Sequence, residues 1–352
     1  MKFDFIIGNP PYQEQQEGTS DNPIYYSFMD EVYSISDRVE LITPARFLFN
    51  AGKTPKEWNK KMLSDEYLKV LYYEPNSSLV FPNTEIKGGI AVTYRDKTKK
   101  CGPIEVFTSF PELNSILTKI RPFVDRSISD IVFSPESYKF TSALYHEHPE
   151  IREMTTTFKG KVVPLISKGH DYDLTSNIFE KLTNIVFFEA PPAKESECVR
   201  VLGRLNNERK LLFVERKYIA SHANLNEYKL FFPKANGSGR FGEPMSVPEI
   251  GLPGTAHTQT FLSMGAFKTL YEVESLMKYV QSKFARTMLG VLKVTQDNKK
   301  AVWRFVPLQD FTPNSDIDWS QSVAGIDQQL YRKYGLDGTE ITFIESHVKE
   351  MA

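Results

Sequence analysis

Residues 3–12 read Phe-Asp-Phe-Ile-Ile-Gly-Asn-Pro-Pro-Tyr, an apolar run that ends on Asn9-Pro10-Pro11-Tyr12. A short run rich in Phe and Ile, closed by Gly and a double Pro, predicts a buried strand that stops at a rigid loop. Two consecutive prolines fix φ at about −65° twice and remove two backbone donors, so the carbonyls of the loop stay available to an outside donor. A ligand amino group is such a donor. The plain alternative is a turn, since Asn-Pro and Pro-Pro are common punctuation. Position favours the ligand, because open α/β sheets bind ligands just outside the carboxyl ends of their strands.

Downstream, strand and helix signals alternate. A polar loop with Gly18, Thr19, Ser20 and Asp21 precedes Asn22-Pro23, which predict a helix start whose apolar stripe is Tyr25, Phe28, Met29 and Val32. A strand over 39–43 is closed by Pro44, and Thr54-Pro55-Lys56-Glu57 reads as a capping box before Trp58, Met62 and Leu63. Strands over 68–73 and 89–94 follow. This rhythm predicts an α/β fold, part of a doubly wound sheet.

From Cys101-Gly102-Pro103 the rhythm is lost. The expected division is a first domain over 1–103, a mixed α+β domain over 104–312 and a helical tail over 313–352. Within the second, Leu113, Ile116, Leu117 and Ile120 mark a helix, and strands are expected over 185–188, 210–217 and 228–232. Phe267, Leu270, Val273, Met277 and Phe284 predict one long helix running to about Met288.

At 352 residues the chain is long enough for two cores, and 41% hydrophobic with 25% charged residues is ordinary for a globular protein. No apolar run reaches membrane-spanning length and no signal-peptide pattern opens the chain, so a cytoplasmic protein is expected. Cys101 and Cys198 each stand alone, without the paired spacing of zinc sites, and no metal is expected. Basic and acidic residues nearly cancel, 43 against 44, so any nucleic-acid surface must come from local clustering. Two clusters qualify. Lys234, Asn236, Ser238 and Arg240 sit on a Gly-Ser backbone suited to following phosphates, and Lys293, Gln296, Lys299, Lys300 and Arg304 form a second patch with Asn298. Solvated loops are the plain alternative for both. The run Gly237-Ser-Gly-Arg-Phe-Gly242 matches G-x-G-x-x-G, but Pro244 and Pro248 oppose the helix such a motif requires, which argues against a cofactor site there.

The segment from Asp4 through Asn9-Pro10-Pro11-Tyr12 to Gln13 resembles the catalytic loop of adenine-N6 DNA methyltransferases of restriction-modification systems. Asn22-Pro-Ile-Tyr25, Ile42-Thr-Pro-Ala-Arg-Phe47 and Phe81-Pro-Asn-Thr-Glu-Ile-Lys-Gly-Gly89 also fall where such enzymes carry similar segments. The resemblance implies a Rossmann-like methyltransferase sheet followed by a target-recognition domain that binds double-stranded DNA. It gives Asn9 and Pro10 the target amino group, with Asn9 also beside the cofactor, and it gives Tyr12 and Phe81 the extruded base. The residues around 282–311, Ile317-Asp-Trp-Ser320 and 326–335 are similar to target-recognition regions of the same enzymes. Such enzymes bind S-adenosylmethionine through elements that precede the catalytic loop, and here eight residues precede Asn9. The expectation is therefore the C-terminal part of a larger enzyme, inactive alone, whose partner is a missing N-terminal half or a separate subunit.

Two other functions compete. A Mg²⁺-dependent nuclease would use Glu-x-Lys at a strand end, for which Glu85-Ile-Lys87 and Glu215-Arg-Lys217 are candidates. A DNA-specificity module without catalysis agrees equally with a missing cofactor half.

Overall fold

The computed structural model describes residues 2–14, 22–82 and 86–351. The polar loop 18–21 and residues 83–85, with the nuclease candidate Glu85, lie outside them. The chain divides into two compact units, Met1–Asn114 and Ser115–Ala352.

In the first unit, β1 (Ile6–Gly8) and β2 (Arg38–Pro44) run parallel, with Ile6 opposite Val39 and Gly8 opposite Leu41. Helix α1 (Tyr25–Ile35) crosses between them, as a parallel connection demands. After α2 (Lys56–Leu63) comes β3 (Leu68–Glu74). The last strand, β4 (Ile90–Asp96), inserts antiparallel between β2 and β3, so the sheet order is β1-β2-β4-β3. Strand alternation turns Val39 and Leu41 inward beside Leu68 and Ala91, and Tyr25, Met29, Trp58 and Met62 of the two helices close over them as one core. On the opposite face Phe5 and Ile7 stay exposed, Ile7 at 72%, with the Phe5 ring 6.4 Å from that of Tyr94. Helices α1 and α2 therefore lie on one face, where a doubly wound sheet has helices on two.

Two helix starts differ from expectation. Asn22–Pro23 form a two-residue ladder with Gln13–Glu14, and Ile24 N–H donates to the Tyr12 carbonyl at 3.1 Å, so α1 begins only at Tyr25. Closing the loop behind Tyr12 takes the residues that sequence assigns to the cap, and Phe28 ends 42% exposed. The Thr54 capping box does not form either. Its hydroxyl donates to Asn59 Oδ1 at 2.7 Å, and extended Pro55 caps α2 instead.

The unit runs past 103 because Ile104 and Phe107 pack into the same core and Glu105 N–H donates to the Leu63 carbonyl at 2.7 Å.

The second unit is mixed α+β. One three-stranded sheet has the order Glu208–Glu215, Cys198–Leu205, Thr255–His257. A four-stranded sheet has the order Glu249–Gly251, Tyr228–Pro233, Phe261–Phe267, Val132–Phe133. The expected strand over 185–188 is reduced to single bridges, Thr183 with Phe187 and Phe188 with Phe213. The expected long helix is two, Leu270–Gln281 and Lys283–Gly290, broken at Ser282. Ser282 takes ψ 148° and its hydroxyl caps the second helix, while the buried Asp327 carboxylate accepts from Lys283 and Phe284 N–H at 3.0 and 2.8 Å. Residues 313–352 belong to this unit: Lys278 Nζ donates to the Trp319 carbonyl at 2.7 Å and Lys283 pairs with Glu345 at 2.6 Å. Both cysteines are free thiols.

Candidate functional site

Strand β1 delivers Asn9, Pro10, Pro11 and Tyr12 at its carboxyl end, with Asn9 and Pro11 exposed. Among the described residues no donor is bonded to the Pro10 carbonyl. The prolines explain this: neither offers an N–H through which the loop could fold onto a neighbour. Tyr12 packs its ring on the first unit's core and stands edge-on to Phe81, centroids 6.4 Å apart at 68°. Burial pushes the Tyr12 hydroxyl up to about 12, with the neighbouring Asn9 side chain pulling it down. The two groups are close, yet the hydroxyl lacks the geometry of a formed hydrogen bond. At neutral pH Tyr12 is thus an uncharged ring with its hydroxyl in reserve.

Phe81 is held in place from three directions. Its N–H donates to the Ser77 carbonyl at 2.8 Å, and the buried Ser77 hydroxyl accepts from Ile86 N–H at 2.8 Å. The Arg46 guanidinium holds the Lys87 carbonyl, and Ala45 N–H donates to the Gly89 carbonyl at 3.0 Å. Gly89 has φ 75°, and a Cβ there would lie 2.3 Å from the Glu74 carbonyl oxygen, so the segment closes only with glycine. The stretches that sequence groups together, 42–47 and 81–89, are the ones that brace Phe81 opposite Tyr12.

In the second unit the two basic clusters become one. Residues 234–236 pair with 296–298: Asn236 N–H donates to the Gln296 carbonyl and Asn298 N–H to the Lys234 carbonyl, both at 2.9 Å. Gly239 permits the close approach, since a Cβ would meet Thr295 N at 2.5 Å. The side chains divide into two roles. Arg240, Gln296, Lys299, Lys300 and Arg304 are exposed and Lys234 half-buried, with Lys299 paired to Asp297 at 2.8 Å. Lys293 is 7% exposed and spends its amine on the Asn236 and Thr295 carbonyls, and Asn236 Oδ1 accepts from Asn298 at 2.6 Å. Ser238 bonds the Glu243 carboxylate through N–H and hydroxyl, and Gly239 N–H adds a third donor. These three hold the loop together. Sequence reasoning grouped them with the exposed ones because a lysine looks alike on a surface and under a loop.

The same Glu243 carboxylate lies in the bend of the G-x-G-x-x-G run, 2.3 Å from where a Cβ of Gly237 would be. The strand Tyr228–Pro233 comes before it, but no helix follows. Of the nuclease candidates, Glu215 and Lys217 pair with each other at 3.0 Å, and Lys217 also pairs with Glu147 at 2.6 Å. Among the described residues no group of three or more His, Cys, Asp or Glu is placed to hold a metal ion. No described helix is long and apolar enough to cross a membrane.

Comparison with known proteins places the family signal where this geometry lies. Residues 1–81 match the Eco57I restriction-modification methylase family. A Mycoplasma pneumoniae protein described as an uncharacterized adenine-specific methylase is 32% identical over 95 residues, 26% of this chain and 22% of that protein. Two solved structures are weakly similar. The type IIG restriction endonuclease BpuSI aligns over 93% of this chain and 48% of its own at 10% identity and a TM-score of 0.30. The type IIL restriction-modification enzyme MmeI, solved in complex with DNA, aligns over 98% and 56% at 9% identity and a TM-score of 0.28. The chain spans about half the length of those two structures, and both scores lie below the level of a shared fold.

Proposed function

We propose that the chain carries the base-holding part of an S-adenosylmethionine-dependent DNA adenine-N6 methyltransferase of a restriction-modification system, with a DNA-reading domain behind it. The observation that carries this reading is the Asn9–Tyr12 loop at the end of β1, faced by Phe81, inside the stretch that matches the methylase family. The exocyclic amine of adenine is a poor nucleophile because its lone pair is delocalised into the ring. The Asn9 side-chain oxygen and the Pro10 carbonyl would each accept one of its hydrogens, localising the lone pair and aiming it. Tyr12 would stack on the base, with Phe81 at its edge, once the base has left the duplex. S-adenosylmethionine, when bound, supplies the electrophilic methyl group.

The residues present fit one side of that cofactor. Asn9 is exposed next to the open edge of β1, which suits a ligand arriving from there. The loop 237–242 does not fit, since Glu243 already takes its backbone donors. We therefore assign the main donor site to a donor-binding half outside these residues, on further chain or on a partner subunit. Support comes from β1 being an edge strand among the described residues, and from Phe5 and Ile7 lying exposed on the sheet face that α1 and α2 leave uncovered, an apolar surface suited to a covering element. On this reading the four-stranded sheet is part of a doubly wound, Rossmann-like sheet whose other helices come with that half. Residues 115–352 serve as the target-recognition domain for double-stranded DNA, in the cytoplasm where restriction-modification acts.

Titration calorimetry of the chain tests the division. Duplex DNA should bind and S-adenosylmethionine should not bind tightly; a tight donor complex would overturn the assignment of the donor site, and absence of any duplex binding would overturn the DNA reading.

A further inference from the structure

Sequence reasoning passed over the hairpin that joins Cys198–Leu205 to Glu208–Glu215. It turns on Asn206 and Asn207, both at positive φ, 50° and 66°, which is the pattern of a two-residue type I′ turn. That turn fixes the register and sets Arg204 directly opposite Arg209. Opposed residues on one face of an antiparallel pair lie about 5 Å apart at Cβ, and like charges there oppose folding. Arg209 is compensated, pairing with Glu249 at 2.6 Å and lying 5.6 Å from the centre of the Phe261 ring. Arg204 is exposed and makes no ion pair among the described residues.

Both arginines line a cleft of about 370 Å³ whose walls also include Lys234, Gln259 and Asp297. Asp297 is the one acid among the cleft's described lining residues and pairs with Lys299, while Glu249 offsets Arg209, so Arg204 and Lys234 leave the cleft an excess of positive charge. The cleft is also continuous with the composite patch, because Ala235 bridges to Asp297 at its wall.

We propose that this cleft seats the phosphate backbone of double-stranded DNA, with Arg204 and Lys234 as phosphate contacts and Arg209 held beneath them. This rests on the DNA reading above and names residues for it. Glu249 offsets the charge of Arg209, and a phosphate would offset that of Arg204, which has no ion pair of its own among the described residues. A fold that needed Arg204 only for itself would gain from losing it.

The test therefore has two readouts. Arg204→Ala and Arg204→Glu should each keep or raise the Tm of the chain, because each removes a like charge opposite Arg209, whose own partner Glu249 is untouched. Both should weaken duplex binding, Arg204→Ala about tenfold at low salt, with the salt slope of log K reduced by about one. Unchanged affinity and slope in both variants, while Lys299→Ala/Lys300→Ala lowers them, would overturn the cleft and leave the DNA reading standing. No duplex binding by the wild-type chain would remove both. Tight binding of inorganic phosphate or ATP that Arg204→Glu abolishes, with duplex affinity unaltered, would give the cleft to a small anion and also overturn the proposal.

Discussion

Tyr12 and Lys229 are two residues whose environment sets their chemistry. Because the Tyr12 hydroxyl is desolvated without a formed hydrogen bond, Tyr12→Phe should leave folding nearly unchanged, and with it methyl transfer when a donor-binding half is supplied. Tyr12→Ala removes a stacking ring and should cost roughly 1–3 kcal/mol of base binding, about 5- to 150-fold, measured as transfer rate at subsaturating DNA. Lys229 is fully buried and donates to the Asn224 and Leu225 carbonyls at 2.8 and 2.9 Å. Desolvation lowers its pKa from 10.5 to about 7, with Glu227 opposing. Between those values the unfolded chain binds a proton that the folded chain does not, so stability is highest above 10.5, falls progressively as pH drops through that interval and levels off below about 7. Urea unfolding at pH 7 to 10 should show stability rising by on the order of 2–4 kcal/mol relative to Lys229→Met, in which that slope is absent. Parallel curves for the two proteins would contradict the buried amine.

Elements were legible in the sequence wherever pattern alone decides them. All four strands of the first sheet lie within two residues of their expected bounds at both ends, save β1, which keeps only the last part of its apolar run. Their order was not legible, since nothing local tells β4 to enter between β2 and β3 rather than extend an edge. Caps failed where a side chain had a better partner, as Thr54 has in Asn59. The long helix failed at Ser282 because Asp327, 45 positions on, supplies the acceptors that make a second helix start favourable there. Glycine was informative without being readable. Gly89→Ala should destabilise the first unit by on the order of 1–3 kcal/mol and lower its Tm, because the new Cβ meets the Glu74 carbonyl and the backbone sits at φ 75°. A wild-type Tm would mean that the segment carrying Phe81 is not braced as described.

The candidate site separates along the same line across the whole molecule. Asn9-Pro10-Pro11-Tyr12 was readable because it is contiguous and its chemistry is local. The basic patch was readable only as two fragments, since the pairing of 234–236 with 296–298 that joins them is tertiary, and Arg204 and Arg209 gave no signal at all. Lys299→Ala/Lys300→Ala should weaken duplex binding for all sequences and reduce the salt slope by between one and two, the lower figure reflecting the Asp297 pair that already occupies Lys299. An unchanged slope would take the patch off the DNA. The chain, supplied with a donor-binding methyltransferase half, S-adenosylmethionine and duplex DNA, should yield N6-methyladenine by mass spectrometry of the nucleosides, and Asn9→Ala should abolish it while duplex binding persists. Methylation at another base position, or N6-methyladenine formed equally well without Asn9, would contradict it.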